Sequence, residues 1–194
     1  ITVIDDSYIA AATVDGYYII EKKTHRAVQY ASSQEQVHHN VSTYIIPMLF
    51  NSDGTVWLGT EGGGLNLYDP KKRKILRSYK SSDGLPSNDI YGLLADEHKR
   101  LWVSTGNGIA VIKDSIVSSL NYLKGVEKEY NKSAATRLKC GDFIFGGISG
   151  AVRISPSEIN MVNYPAPLRI TGFVIDGISE EKKEELTPHI HKGL

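Results

Sequence analysis

This 194-residue sequence contains one cysteine, no excess of charge of either sign and no long apolar run. Lys plus Arg and Asp plus Glu both number 22, and this balance without a dense basic tract argues against a nucleic-acid partner. No segment approaches the roughly 18 consecutive apolar residues of a membrane-spanning helix. One cysteine excludes an intrachain disulfide. Its neighbours Leu138 and Phe143 favour a structural thiol at Cys140 over a nucleophile.

What the sequence does contain is an internal repeat. Segment 53–65 (DGTVWLGTEGGGL) is followed by a similar segment, 99–109 (KRLWVSTGNGI), and weaker copies occur at 11–17 and 142–152. The copies recur about every 45 residues, a period typical of four-stranded propeller blades. Trp57 and Trp102 occupy the same position in two copies, where packing between blades is a simpler interpretation than ligand stacking.

Each copy combines short apolar runs with turn residues. In the clearest copy, the pair Asp53-Gly54 and the Gly62–Gly64 turn separate strand-like runs, and Asp-Gly between apolar runs is a strong hairpin signal. A phosphate-binding role for these glycines is not favoured, because neither a helix start nor a Lys-Ser/Thr pair follows. The sequence thus predicts an all-β fold of four four-stranded antiparallel sheets, a partial propeller. The expected blades span residues 1–36, 37–81, 82–126 and 127–160. The first strand of the last blade is expected at residues 134–138, and the fourth strand of the third blade is not identified, since residues 115–125 read as irregular or briefly helical.

The pattern changes after Pro156. Residues 163–167 (NYPAP) predict a stiff extended connector, because proline fixes φ and restrains the preceding residue. A strand and its turn are expected over residues 168–177, and the polar residues 178–194 predict a solvated loop. Residues 161–194 are therefore interpreted as a linker and the truncated start of a β-sandwich. The strand-like first residues, without a signal-peptide pattern, suggest a segment of a longer chain.

Several of these motifs carry a family resemblance. Segments 53–65 and 82–90 (SDGLPSNDI) resemble the two-component regulator propeller repeat, and 145–156 resembles the last blade of such propellers. Residues 165–177 resemble the opening strand of the triple-tyrosine β-sandwich. The family's propellers have seven blades, whereas this chain holds four.

The resemblance implies the sensor region of a hybrid two-component histidine kinase. It implies a periplasmic, ligand-sensing homodimer that recognises oligosaccharides and transmits a dimer rearrangement to a membrane-anchored parent protein. We expect no catalytic site and no cofactor in this segment, because the kinase domain is absent from it. A propeller enzyme, such as a sugar or lactone lyase, and a protein-interaction scaffold remain alternatives.

In a propeller, the connections between blades and the turns between second and third strands lie on one face, which is the expected binding surface. Aromatic, amide and carboxylate side chains there suit sugars. The candidates are Tyr44, Glu61, Asn88, Asp89, Tyr91 and Asn107, with His38, His39 and Asn40 as weaker ones.

Each candidate has a structural alternative. Asn88 and Asp89 could serve only the turn backbone, and Tyr91 could serve packing. A metal site at His38 and His39 is not expected, because adjacent strand residues point apart and no third ligand is suitably spaced.

Overall fold

The computed structural model describes residues 1–31, 44–121, 125–126 and 129–159, and two short strands at 173–175 and 178–180. Its Cα positions form two compact units, residues 1–160 and 161–194. Among the described residues, no helix is long and apolar enough to cross a membrane.

The first unit consists of antiparallel sheets, which are called blades one to four below. Blade one contains β1 (Thr2–Val3), β2 (Tyr8–Ala12), β3 (Tyr17–Glu21) and β4 (Ala27–Tyr30), and blade two contains β5 (Ile45–Phe50), β6 (Val56–Thr60), β7 (Leu65–Asp69) and β8 (Lys74–Tyr79). Blade three contains β9 (Ile90–Ala95), β10 (Leu101–Thr105), β11 (Gly108–Lys113) and β12 (Ile116–Ser119), and blade four contains β13 (Tyr130–Arg137), β14 (Phe143–Gly147) and β15 (Gly150–Ile154).

The predicted all-β propeller architecture is confirmed, with one difference in strand number. Blades one to three have four strands each, whereas blade four has three strands among the described residues. The first strands of blades two to four converge, because β9 contacts both β5 and β13 and β5 also contacts β13. The ends of these inner strands consequently gather residues that are far apart in the sequence. The predicted boundaries between blades stay a prediction.

A recurring threonine explains part of the repeat. The Oγ1 atoms of Thr13, Thr60 and Thr105 donate hydrogen bonds of 2.8–2.9 Å to the carbonyls of Gly16, Gly64 and Gly108, respectively. Each bond closes the turn between the second and third strands of its blade. All three glycines adopt positive φ, a conformation that glycine accepts without steric cost. In blade four, Gly147 takes the threonine position, so its turn lacks a hydroxyl there.

Apolar side chains fill the spaces between adjacent blades. Ala10 and Tyr17 of blade one pack with Val56, Leu58 and Tyr68 of blade two. A second cluster joins blade two to blade three, and includes Leu65, Tyr79, Ile90, Leu101, Val103 and Ile112. Strands β9 to β11 are largely apolar and buried, because blades two and four cover blade three from both sides, whereas the inner strand β13 is mainly polar and exposed.

The second unit corrects one expectation from the sequence. Strand β16 (Phe173–Ile175) pairs antiparallel with β17 (Ile178–Glu180), so the predicted loop is wrong for its first three residues. The apolar Ile178 pairs with Ile175, and this pairing overrides the polar composition of the segment. The proline-rich connector and residues 181–194 lie outside the described residues.

Candidate functional site

Backbone hydrogen bonds bring three of the predicted segments together at one end of the inner strands. The amide of Glu61, in the β6–β7 turn, donates to the carbonyl of Tyr44 at 3.1 Å, just before β5. In the same turn, the Gly62 amide donates to Asp89 Oδ1 at 2.8 Å. The Gly106 amide, in the β10–β11 turn, donates to the Asp89 carbonyl at 3.0 Å. The turns of blades two and three are therefore held against the connection between them.

Lys132 of β13 joins three of the predicted residues into a cluster. Its Nζ lies 2.8 Å from Glu61 Oε2, 5.3 Å from the centre of the Tyr44 ring and 5.9 Å from the centre of the Tyr91 ring. The ammonium thus contacts two aromatic side chains and one carboxylate. We call Tyr44, Glu61, Tyr91 and Lys132 the axial cluster, because each lies near the beginning of an inner strand or in an adjoining turn.

Sequence reasoning missed Lys132 because it placed the first strand of blade four too late. The predicted strand began at Ala134, whereas β13 begins at Tyr130 and pairs Tyr130 with Gly147. Tyr130 is equivalent in register to Ile45 and Ile90, which pair with Thr60 and Thr105. Aligning the copies on these positions would have placed Lys132 at the same end as Tyr91.

The axial cluster is open to solvent. The Tyr44 side chain is 41% exposed, and the Lys132 and Glu61 side chains are 45% and 38% exposed. Burial and the Asp89 carboxylate raise the pKa of the half-buried Tyr91, and Lys132 partly offsets this. The hydrogen bond with Glu61 raises the pKa of Lys132. At neutral pH the cluster therefore presents a protonated phenol at Tyr91 and a charged ammonium.

Two of the predicted residues use their side chains within the loops. Asn88 Oδ1 accepts a hydrogen bond from the Ser81 amide at 2.8 Å, and the Asn88 carbonyl accepts one from the Gly64 amide at 2.9 Å. Asn107 Nδ2 donates to the Pro86 carbonyl at 3.4 Å, and the Asn107 carbonyl accepts a 2.7 Å bond from Asn121 Nδ2. For Asn88, these contacts fit the turn-forming alternative that the sequence left open. Asp89 contributes both to the loop and to the axial cluster. One of its carboxylate oxygens accepts a hydrogen bond from the Gly62 amide, and its charge acts on the Tyr91 hydroxyl.

A cavity of about 240 Å³ lies among the inner strands, next to the cluster. It is lined by residues of β1, β5, β9 and β13, so every described blade contributes to it. Tyr91 lines this cavity and also contacts Lys132. A ligand at the axial cluster would accordingly cover one end of the space between the inner strands.

The remaining sequence candidates lie elsewhere. Trp102 is fully buried and packs edge-to-face on Phe143 of blade four, with ring centres 5.7 Å apart. Trp57 is half-buried, packs on Tyr79 of its own blade with ring centres 6.0 Å apart, and also contacts the apolar cluster between blades two and three. Both contacts fit the packing interpretation. Cys140 is exposed in the β13–β14 turn, where the apolar neighbours Leu138 and Phe143 do not bury it.

Among residues 1–31, 44–121 and 129–159, no group of three or more His, Cys, Asp or Glu side chains is arranged to hold a metal ion. The weaker candidates His38, His39 and Asn40 lie outside the described residues.

Comparisons with known proteins support the resemblance. Residues 84–107 match the family model of the two component regulator propeller. Histidine kinase P4 of Formosa agariphila is 27% identical over 96 residues, which are 48% of this chain and 7% of that protein. This chain therefore spans only a small part of the curated relative.

Two solved structures share the fold. The extracellular domain of a hybrid two component system from B. thetaiotaomicron aligns with a TM-score of 0.62 at 20% identity, covering 78% of this chain and 22% of that one. Virginiamycin B lyase from Staphylococcus aureus aligns with a TM-score of 0.52 at 20% identity, covering 85% of this chain and 55% of the lyase. At such identities the likeness concerns the fold alone. The chain thus has an all-β propeller fold, and its residues 84–107 match the two component regulator propeller.

Proposed function

We propose that this chain is part of the ligand-sensing region of a hybrid two-component sensor and that it recognises oligosaccharides. The observation that carries the proposal is the axial cluster, in which two tyrosine rings, a carboxylate and an ammonium meet at one end of the inner strands. Aromatic rings offer apolar faces to a sugar ring, and a few fixed polar groups orient its hydroxyls. The family match and the histidine kinase relative support a sensor role.

The proposed mechanism is a population shift. An oligosaccharide favours one arrangement of a homodimer only by binding that arrangement more tightly than the other. The connector at residues 163–167 then transmits the change to the β-sandwich that is expected to follow it. The proposed location is the periplasm, with the parent protein anchored in the membrane, and the likeness to an extracellular sensor domain is in keeping with that location.

Isothermal titration calorimetry with a panel of oligosaccharides tests the binding step. Tyr44→Ala removes a ring of the axial cluster, so we expect at least a tenfold loss of affinity. Tyr8→Ala is the matched control, because Tyr8 is 40% exposed on blade one and takes no part in the cluster. Equal affinities of the two variants would refute the assignment of the site.

A second measurement addresses the alternative of a lyase. After incubation with each glycan that binds, mass spectrometry should recover the glycan intact. Products that depend on the protein would instead establish the enzyme alternative. Light scattering with and without the glycan tests the homodimer, and a monomer under both conditions would contradict the proposed mechanism.

A further inference from the structure

Among the described residues, the charges around the axial cluster are predominantly negative. The carboxylates of Glu61, Asp89 and Glu129 and the ammonium of Lys132 lie close enough to act on the Tyr91 hydroxyl. The ammonium is paired with Glu61 at 2.8 Å, so its charge is already balanced. Asp89 and Glu129 keep their charges, because a hydrogen bond from the Gly62 amide does not neutralise the Asp89 carboxylate.

Lys132 is also placed to be a poor partner for an anion. Its ammonium contacts the rings of Tyr44 and Tyr91, at 5.3 and 5.9 Å from their centres. An anionic ligand that reached this ammonium would lie beside the Glu61 carboxylate, which is 2.8 Å from Nζ. Like charges at short range repel one another, most strongly where water is partly excluded.

We infer that the axial cluster selects its ligand by charge: it accepts neutral oligosaccharides and rejects those that bear carboxylate or sulfate groups. Glu61 is the residue that determines this specificity, because its carboxylate balances the Lys132 ammonium, which would otherwise attract an anion. A neutral sugar ring avoids the repulsion and can stack on Tyr44 or Tyr91 while its hydroxyls donate to Glu61 and Asp89. This inference rests on the proposed function and narrows it to one class of glycan.

Binding of the whole chain to an array of neutral glycans and their carboxylated or sulfated counterparts tests the inference. We expect the neutral member of each pair to bind at least tenfold more tightly than the anionic member. Raising the salt concentration should narrow the difference, since screening weakens repulsion between exposed charges.

Glu61→Gln gives the decisive variant. It keeps the shape of the side chain, removes one negative charge and leaves the Lys132 ammonium unbalanced, so affinity for the anionic glycans should rise about tenfold. Glu97→Gln is the matched control. Glu97 forms an exposed ion pair with Arg137, in which the nitrogen and oxygen are 2.7 Å apart, and takes no part in the axial cluster. Circular dichroism establishes that both variants are folded.

The outcomes separate the two proposals. Tighter binding of anionic glycans by the wild-type chain would overturn charge selection and leave the sensing proposal standing. If Glu61→Gln keeps the wild-type preference for neutral glycans, Glu61 does not determine the specificity. Binding of neither class by the folded chain would overturn both proposals.

Discussion

Blade three and blade one have similar strand patterns but very different burial. Every residue of β10 is buried, as are five of the six residues of β11. In blade one, β2 buries only Ala10 and β3 buries only Tyr17. Blade three packs against blade two on one face and against blade four on the other. Blade one, among the described residues, packs against one neighbour, blade two. Burial here depends on neighbouring blades more than on local sequence.

A buried ion pair shows the consequence for polar residues. Arg100 Nε lies 2.5 Å from Asp96 Oδ2, and both side chains are almost fully buried. Trp102 Nε1 donates to the same carboxylate oxygen at 2.8 Å, and Arg100 Nη1 donates to the Ile159 carbonyl at 2.8 Å. Blade three thus uses Arg100 to hold the end of blade four.

The largest expected effect comes from breaking this ion pair. Arg100→Ala leaves the Asp96 charge buried without its partner, which should lower the free energy of unfolding by about 3–5 kcal/mol. Urea unfolding followed by far-ultraviolet circular dichroism measures the change. The control is Arg137→Ala, which removes an exposed pair and should cost at most about 1 kcal/mol. Similar losses in both variants would contradict the contrast between buried and exposed pairs.

A matched pair of isoleucines compares the blades directly. Ile109 of β11 is fully buried, whereas Ile9 of β2 is half-buried. Ile109→Ala creates a cavity and should cost about 2–5 kcal/mol. Ile9→Ala should cost about 1 kcal/mol, since less surface leaves the core. The same urea titration compares them, and equal losses would indicate that blade one is covered as fully as blade three.

A glycine tests how closely blades three and four approach. A Cβ atom at Gly92 would lie 2.6 Å from Ser104 Oγ and 2.7 Å from Ala135 Cβ, so β9 and β13 would have to separate. Gly92→Ala should therefore cost about 1–3 kcal/mol. At Gly106 the nearest atom is 3.5 Å away, and Gly106→Ala should change stability by at most about 0.5 kcal/mol. Thermal unfolding of both variants measures the difference.

The smallest expected effect is a dependence on acid. Burial opposes ionisation of Asp96, but hydrogen bonds from Trp102 and Arg100 outweigh it and hold its pKa below the ordinary value. Its stabilising contribution is therefore complete above the unfolded pKa, near 3.8, and is lost as pH falls through the lower folded pKa. The difference in free energy of unfolding between wild type and Asp96→Asn should therefore shrink as pH falls through this range, as measured by urea unfolding at each pH.

Asp53→Asn is the control for this titration, because Asp53 is exposed and local hydrogen bonds from the Thr55 hydroxyl and amide hold the pKa of its carboxyl group below the ordinary value. Its stability difference from wild type should vary less with pH, since interactions of exposed charges contribute little. A larger pH dependence at Asp53 than at Asp96 would contradict the greater effect expected of the buried carboxylate.

The repeat predicted the blades well because its signals are local. The Trp and Gly positions, with the Asp53-Gly54 turn, placed β5 to β11 within a few residues of their observed bounds. The sequence does not identify strand β12, and it predicts too late a start for β13, because both strands lie in segments where the repeat is weak. Pairing with β11 makes Ile116–Ser119 a strand, and pairing of Tyr130 with Gly147 extends β13.

The candidate site was predictable only in part. Glu61, Asp89 and Tyr91 follow from knowing which turns lie on one face. Lys132 does not, because its partners are remote in sequence and its strand carries a register shift between Tyr130 and Ala135. Asn88 and Asn107 have suitable chemistry, but the loops use their polar groups.

The amino-acid sequence by itself determined the repeating strands and turns, because alternating apolar runs, glycines at positive φ and the capping threonines act within each copy. Only the tertiary structure decided which residues are buried and which meet at the axial cluster. Burial of a strand face requires a neighbouring blade, and the Lys132–Glu61 contact forms only when the inner strands of separate copies converge.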